Sequence, residues 1–224
     1  QAPGAKSPAA PAAPSAGDWR TPNPDDLLVI DTNKGRIIVE MLPEVAPAHV
    51  QRVKELARAG FYDGRTFFRV IDEFMAQTGD PEDRGTGGSD KPDLTQEFLF
   101  RLGGDAGFVQ AADQNVAQVG FIKSLPVKSQ SPMLMAMTAD GKISAWPLYC
   151  PGVAAMARGQ GEDSANSQFF LMRHTYPSLE RRYTGWGRVV AGLDVVRAIK
   201  VGEPVAPPQD KMDKVRILAD IPAS

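Results

Sequence analysis

The 224-residue chain has one cysteine, Cys150, and two histidines, His49 and His174. No disulfide can form within it, and neither a disulfide framework nor a dedicated zinc site is expected from so few ligands. Net charge is equally scarce: 25 Lys and Arg against 27 Asp and Glu leave -2. That balance offers no basic surplus to nucleic acid or to an anionic membrane. No apolar run approaches the ~20 residues that cross a bilayer, so no membrane insertion is expected. The glycine-rich run RGTGGSD (84–90) lacks the Gly-Lys-Ser/Thr ending of a phosphate cradle, which argues against a nucleotide site. Apolar residues at 42% and charged residues at 23% are ordinary for a globular domain, and the length suits one large core with appendages.

Alanine and proline, by contrast, crowd the first stretch, QAPGAKSPAAPAAPSAG. Such a composition buries too little apolar surface to offset its ordering entropy, so residues 1–25 are expected to form a flexible tail and 26–224 the folded domain. A Pro/Ala stretch led by Gln1 rather than methionine is what signal-peptide cleavage leaves behind, and a periplasmic or otherwise exported location is expected. A single cysteine is compatible with that setting.

Beyond the tail, LLVIDTNKGRIIVEML reads as two strands around Asn33-Lys34-Gly35, with Gly35 supplying the positive φ of a short hairpin loop. Ile37, Val39 and Met41 alternate with Arg36, Ile38 and Glu40, giving one apolar face. The period then changes: Val50, Val53, Leu56 and Ala57 fall at helical spacing, with Pro47 in the first turn and Gly60 past the end. On this helix His49 is assigned to the exposed side. Residues 66–77 return to a β-rich pattern. Later strands are expected in SQFFLMR, TGWGRVV and KVRILADI, and a second helix in LDVVRAI. Between them, PMLMAMTADGKISAW places Asp140-Gly141 between two β-compatible runs and predicts a hairpin. Cys150 reads as a partly buried small hydrophobe. The carboxylates Asp72, Glu73, Asp80, Glu82 and Asp83, close in sequence to Arg69, read as a solvated face, the alternative being a preference for basic segments in a binding partner.

The blocks GFYDGRTFFRVIDEFMAQTGDP, GTGG, QEF, GVAAMARG, SANSQFFL and WGRVV, in this order, resemble the cyclophilin family of peptidyl-prolyl isomerases, in particular exported bacterial members with an insertion. The resemblance runs from about Leu27 to Ile221. It implies an all-β-dominated fold: a closed eight-stranded antiparallel barrel with two capping helices and a groove on its outer surface. The insertion, at about 99–151, is expected to form a small subdomain beside the groove. Carried over residue by residue, the catalytic arginine falls on Arg69 with Gln77 beside it. Phe74, Met75 and Phe170 match the proline pocket, and Leu179 and Tyr183 its further wall. Ala157 and Arg158 match the segment that binds the substrate backbone, Arg158 replacing a more usual asparagine, and Gln168 belongs to the QFF block. Two positions depart from the family pattern: Phe68 replaces the usual histidine before Arg69, and Ser178 stands where a tryptophan is common. Ser178 opens one wall, so only weak cyclosporin binding is expected; nanomolar inhibition would contradict it.

These residue types fit the reaction the family implies. Amide resonance sets a barrier of ~18–20 kcal/mol to rotation about an X-Pro bond. In the twisted transition state the prolyl nitrogen gains a lone pair, and a fixed guanidinium can donate a hydrogen bond to it without ever losing its own charge. An apolar wall holds the ring, excludes water and strengthens the arginine's field. No metal or cofactor is required. Read without its neighbours, Arg69 would be a strand arginine with a solvated head. The expected partners are proline-containing peptides and unfolded or folding proteins, met by a monomer that assists protein folding. The alternative is a cyclophilin-like peptide-binding or chaperone module without turnover. The sequence leaves client proteins and the function of the tail undefined.

Overall fold

The computed structural model describes residue 17 and residues 19–113 and 117–222. Most of the expected tail lies outside them. Its last part is tied to the domain: Arg20 Nη1 donates to Glu40 Oε1 at 2.6 Å, and Pro24–Asp26 form a 3-10 turn.

Thirteen strands and two α-helices follow in the described residues: β1 (Leu27–Thr32), β2 (Gly35–Met41), α1 (Pro47–Arg58), β3 (Arg69–Ile71), β4 (Met75–Thr78), β5 (Phe100–Leu102), β6 (Phe108–Asp113), β7 (Ala117–Ile122), β8 (Leu125–Gln130), β9 (Ile143–Pro147), β10 (Val153–Arg158), β11 (Ala165–Met172), β12 (Gly185–Ala191), α2 (Leu193–Ala198) and β13 (Met212–Ile217). The fold is all-β dominated. An eight-stranded sheet runs β13-β1-β2-β12-β10-β11-β4-β3, and a five-stranded sheet runs β5-β9-β8-β7-β6. Every pairing is antiparallel. The larger sheet curls: just before β3, Gly64 N donates to Met212 O at 2.7 Å, Met212 N to Arg65 O at 2.8 Å and Phe67 N to Asp210 O at 2.8 Å. The outer edge of β3 is also occupied, because Val70 and Gly202 exchange a pair of 2.8 Å backbone hydrogen bonds and Val205 N reaches Phe68 O. An edge so covered offers no template to another chain.

The hairpin expected at Asn33-Lys34-Gly35 joins β1 to β2, and Gly35 takes φ +133°. Alternation in β2 buries Ile37, Val39 and Met41 in the concave core. Tyr62, Phe67, Phe169 and Trp186 fill the same core, with Phe169 edge-on to both Tyr62 and Trp186 at centroid distances of 5.4 and 5.7 Å. The α1 helix packs on β13 and β11 through the predicted apolar positions.

Four sequence expectations are corrected. His49 is buried, not exposed. Its ring Nδ1 lies 2.7 Å from Glu97 Oε2, and Glu97 also accepts the amides of Ala48 and His49. Ala46, at the N-cap, provides no side-chain cap, so a carboxylate far along the chain satisfies the first-turn donors and pulls that side of the helix inward. The hairpin expected around Asp140-Gly141 has only one strand, β9. Pro132–Met137 forms a 3-10 helix with Met133 and Met137 exposed and only Met135 packed inward, so this run has no pleated surface to fit. KVRILADI stays extended to Ile217, then turns into a 3-10 segment, Leu218–Asp220. LDVVRAI stops being helical after Ala198, and Ile199 is extended. Residues 66–77 resolve into β3 and β4 around a turn closed by Phe74 N to Ile71 O at 3.1 Å.

The five-stranded sheet packs on the convex side of the larger one. Phe100, Leu102, Ile122, Leu125, Val127, Ile143 and Ala145 share a second apolar cluster with Met75, Phe170, Met172 and Leu179.

Candidate active site

Strand register assembles the site. Arg69 is opposite Gln77 in the β3–β4 pair, Gln77 is opposite Phe170 in the β4–β11 pair, and Phe170 is opposite Ala155 in the β10–β11 pair. Directly opposed residues share a face, so one row across the sheet sets Arg69, Gln77 and Phe170 side by side on the convex surface. Met75, two residues before Gln77, joins them, and Phe169 must point the other way, into the concave core.

Above this row lies an open cavity of about 700 Å³. Phe74, Met75, Phe170, Leu179, Tyr183 and Ala157 supply its apolar surface, and Arg69, Gln77 and Arg158 its polar rim. Met75, Phe170 and Leu179 are buried side chains whose exposed remnants face the cavity, while the Arg69 side chain keeps 36% of its accessible surface. Gln168, also expected here, lines an adjoining cavity of about 510 Å³ with the glycine loop and Asn166. Gln77, Gly85, Ala157 and Arg158 border both cavities.

Hydrogen bonds fix the arginine. Gln77 Oε1 accepts from Arg69 Nη1 at 3.3 Å, Gln77 Nε2 donates to Gln168 Oε1 at 2.9 Å, and Gln168 Nε2 donates to Gly87 O at 2.8 Å. This chain of amides determines which way Gln77 presents its oxygen. On the other side Arg69 Nε donates to Glu203 Oε1 at 2.6 Å. Nη2 has no protein partner among the described residues. Asp83, Arg84, Gly85, Phe68, Glu203 and Pro204 also line the cavity; of these, Glu203 and Pro204 were not marked by the sequence. Glu203 arrives because the 202–205 segment pairs with β3, and nothing in its local sequence signals that.

Arg158 is used differently from a free substrate contact. Its Nε donates to Arg182 O at 3.0 Å, its Nη1 to Gly159 O and Gln160 O at 3.1 and 3.2 Å, and its guanidinium lies 4.9 Å from the centre of the Tyr183 ring. It fixes Tyr183 by a cation–π contact, and Phe170 meets the same ring edge-on at 5.8 Å. Tyr176, also unmarked by the sequence, lies against Phe74 with the ring centres 4.5 Å apart and the planes tilted by 40°. Ser178 is exposed and does not border the cavity.

Asp80 is corrected from a solvated carboxylate to a buried one. Its oxygens accept the amides of Glu82, Arg84, Gly85 and Gly87. Burial pushes its pKa up, but the four amides more than offset this and hold it below the ordinary range. The loop so gathered carries Asp83, Arg84 and Gly85 to the cavity. A Cβ at Gly87 would fall 2.1 Å from Asp80 Oδ1, so this loop requires glycine there.

The fold and site thus define a curled antiparallel sheet with an arginine set against an apolar pocket on its convex surface. The family model described as cyclophilin type peptidyl-prolyl cis-trans isomerase/CLD matches residues 27–219, and the chain belongs to that family. A probable peptidyl-prolyl cis-trans isomerase of Brucella suis biovar 1 is 33% identical over 213 residues, 88% of this chain and 85% of that protein. The crystal structure of the cyclophilin AquaCyp293 from Hirschia baltica superposes with a TM-score of 0.85 at 31% identity, covering 94% of this chain and 83% of that one. A Cryptosporidium parvum cyclophilin type isomerase crystallised in the presence of the dipeptide Ala-Pro shares the fold, with a TM-score of 0.59 at 18% identity over 85% of this chain and 98% of that one.

Proposed function

We propose that this chain catalyses cis-trans rotation about X-Pro peptide bonds in flexible or unfolded polypeptides. The observation that carries the proposal is the row in which Arg69 and Gln77 stand directly opposed at the mouth of an apolar cavity floored by Met75 and Phe170. The pyrrolidine ring would occupy the cavity, and Arg69 would donate to the prolyl nitrogen as it becomes pyramidal. Gln77 holds the guanidinium or receives the substrate backbone. One charge-assisted hydrogen bond contributes about 1.5–3 kcal/mol; the rest of the reduction from the ~20 kcal/mol barrier must come from pocket contacts made only with the twisted form. No bond is broken and no proton leaves the protein.

In the same reading the larger sheet closes into a barrel through the Gly64–Phe67 bridge to Asp210–Met212, and residues 99–151 are an accessory subdomain of a single domain beginning near residue 26. The expected extracytoplasmic setting and folding-assistant role belong to this proposal, supported by the Ala/Pro-rich composition and by an open groove; fractionating cells that produce the protein tests the setting. Cyclosporin would bind weakly because Ser178 leaves one wall of the pocket unbuilt. The direct test is a protease-free assay on a short X-Pro peptide. Arg69→Ala should lower kcat/KM by about 100-fold or more, the scale of losing one preorganised donor, with an unchanged melting temperature. A wild-type protein without activity would end this reading.

A further inference from the structure

Residues of the five-stranded sheet and the segment that leaves it touch the isomerase pocket in an indirect way. Neither cavity is lined by any described residue between 99 and 151. The apolar face of that sheet nevertheless forms one continuous cluster with the pocket floor residues Met75, Phe170 and Leu179. At its exit two aromatic side chains reach the loop that bears Leu179 and Tyr183. Trp146, on β9, donates from Nε1 to Glu180 Oε2 at 3.0 Å, and the Arg181 guanidinium lies 5.4 Å from the centre of its ring. Tyr149 is buried, and its hydroxyl donates to the carbonyl of Tyr183 at 2.7 Å while its own carbonyl accepts Tyr176 N at 2.9 Å. Burial pushes the Tyr149 phenol above its ordinary pKa, which favours the protonated, donating form.

We propose that Trp146 and Tyr149 are positioning residues through which the second sheet holds the Leu179–Tyr183 wall of the proline pocket at catalytic geometry. The sheet therefore acts on substrate from behind the pocket and adds no contact of its own. The loop is anchored at Glu180 and Arg181 by Trp146 of the second sheet and at Tyr176 and Tyr183 by Tyr149 in the segment that leaves it. A loop anchored at four points holds its wall in place as a ring enters, so the anchor acts mainly on substrate binding and leaves the Arg69 hydrogen bond itself untouched.

This inference rests on the isomerase reading, and the experiment separates the two. In the full chain, Tyr149→Phe removes one hydroxyl and should raise KM for an X-Pro peptide about 5-fold, the scale of one hydrogen bond, with kcat nearly constant. Glu180→Leu, which removes the acceptor of Trp146, should act in the same direction, and Glu180→Gln, which keeps an acceptor oxygen, should restore wild-type KM. Affinity for the same peptide, measured by calorimetry, should follow KM. A lowered melting temperature with unchanged KM and affinity in Tyr149→Phe and Glu180→Leu would overturn the inference, since a merely structural role moves stability alone. If Tyr149→Phe fails to fold, the Glu180 pair decides. Inactive wild-type protein would instead overturn the isomerase reading, and the calorimetric affinities would still decide this one.

Discussion

The concave and convex faces of the eight-stranded sheet are both apolar, yet only one is finished. On the concave face Tyr62, Phe67, Phe169 and Trp186 are fully enclosed, and Phe169 meets Tyr62 and Trp186 edge to face. On the convex face the five-stranded sheet covers part of the surface and stops short, so Met75, Phe170 and Leu179 remain as the floor of an open cavity. Strand β11 serves both: Phe169 belongs to the first cluster and Phe170 to the second. Stability and binding are thus divided by the two-residue period of a single strand, and the incomplete covering of one face is what creates the site.

Truncating these two neighbours should break the comparison most sharply. Phe169→Ala empties a closed core and should cost about 3–5 kcal/mol of unfolding free energy, with kcat/KM per folded molecule within about 2-fold of wild type. Phe170→Ala removes a buried ring whose outer edge borders an open cavity, so part of the space it leaves is shared with that cavity. Its stability loss should be smaller, and kcat/KM should fall by about 10-fold as the substrate ring loses apolar cover. Chemical denaturation paired with the isomerase assay measures both quantities. Equal stability losses and equal activity losses would erase the division between faces.

The sequence made the concave face easier to read than the convex one. Alternation in β2 and helical spacing in α1 each depend on neighbours in the chain, and both elements formed with the apolar positions buried as read. The Arg69 block was legible because Arg69, Phe74, Met75 and Gln77 lie within one hairpin whose register then aligns them. In β11 the pattern carried no alternation, because the second sheet buries its convex side as well. His49, Asp80 and Glu203 were misread or missed for one reason: each takes its role from a partner or a loop conformation that local periodicity does not encode. Glu97 is 48 residues from His49, and Glu203 is 134 residues from Arg69.

The pocket's two sides also differ, and Asp80 tests that difference. The Leu179 side is held by the apolar second sheet, the glycine-loop side by a carboxylate that accepts four amides. Asp80→Asn replaces one acceptor oxygen with a donor facing those amides and should destabilise the protein by about 2–3 kcal/mol, with the loss in melting temperature larger than for a surface substitution. The acid dependence follows from the sign of the shift. A carboxylate held below its unfolded value of about 3.9 contributes stability that is complete above that pH and is lost as pH falls through the lower folded value. Wild-type protein should therefore show this contribution fading below about pH 4, and the Asn variant should lack that part of the acid transition. Superimposable acid titrations of the two proteins would show that the amides do not depend on the charge.

The smallest effect is expected at Glu203, and it bears on whether the polar side of the pocket holds Arg69 or quenches it. Both side chains are partly exposed, at 36% and 55%, so the ion pair should add almost nothing to stability. Its consequence is geometric: with Nε engaged by Glu203 and Nη1 by Gln77, the guanidinium plane is fixed and Nη2 is the nitrogen that the proposed reaction would use. Glu203→Ala should lower kcat about 3-fold by releasing that plane, while Glu203→Gln, which keeps an acceptor for Nε, should retain most of the wild-type rate. The difference between Ala and wild type should shrink as salt is raised to 1 M, where charges are screened within about 3 Å. If both substitutions instead raise kcat, the carboxylate's main effect is to weaken the arginine's field, and the polar side of the pocket restrains catalysis where the apolar side supports it.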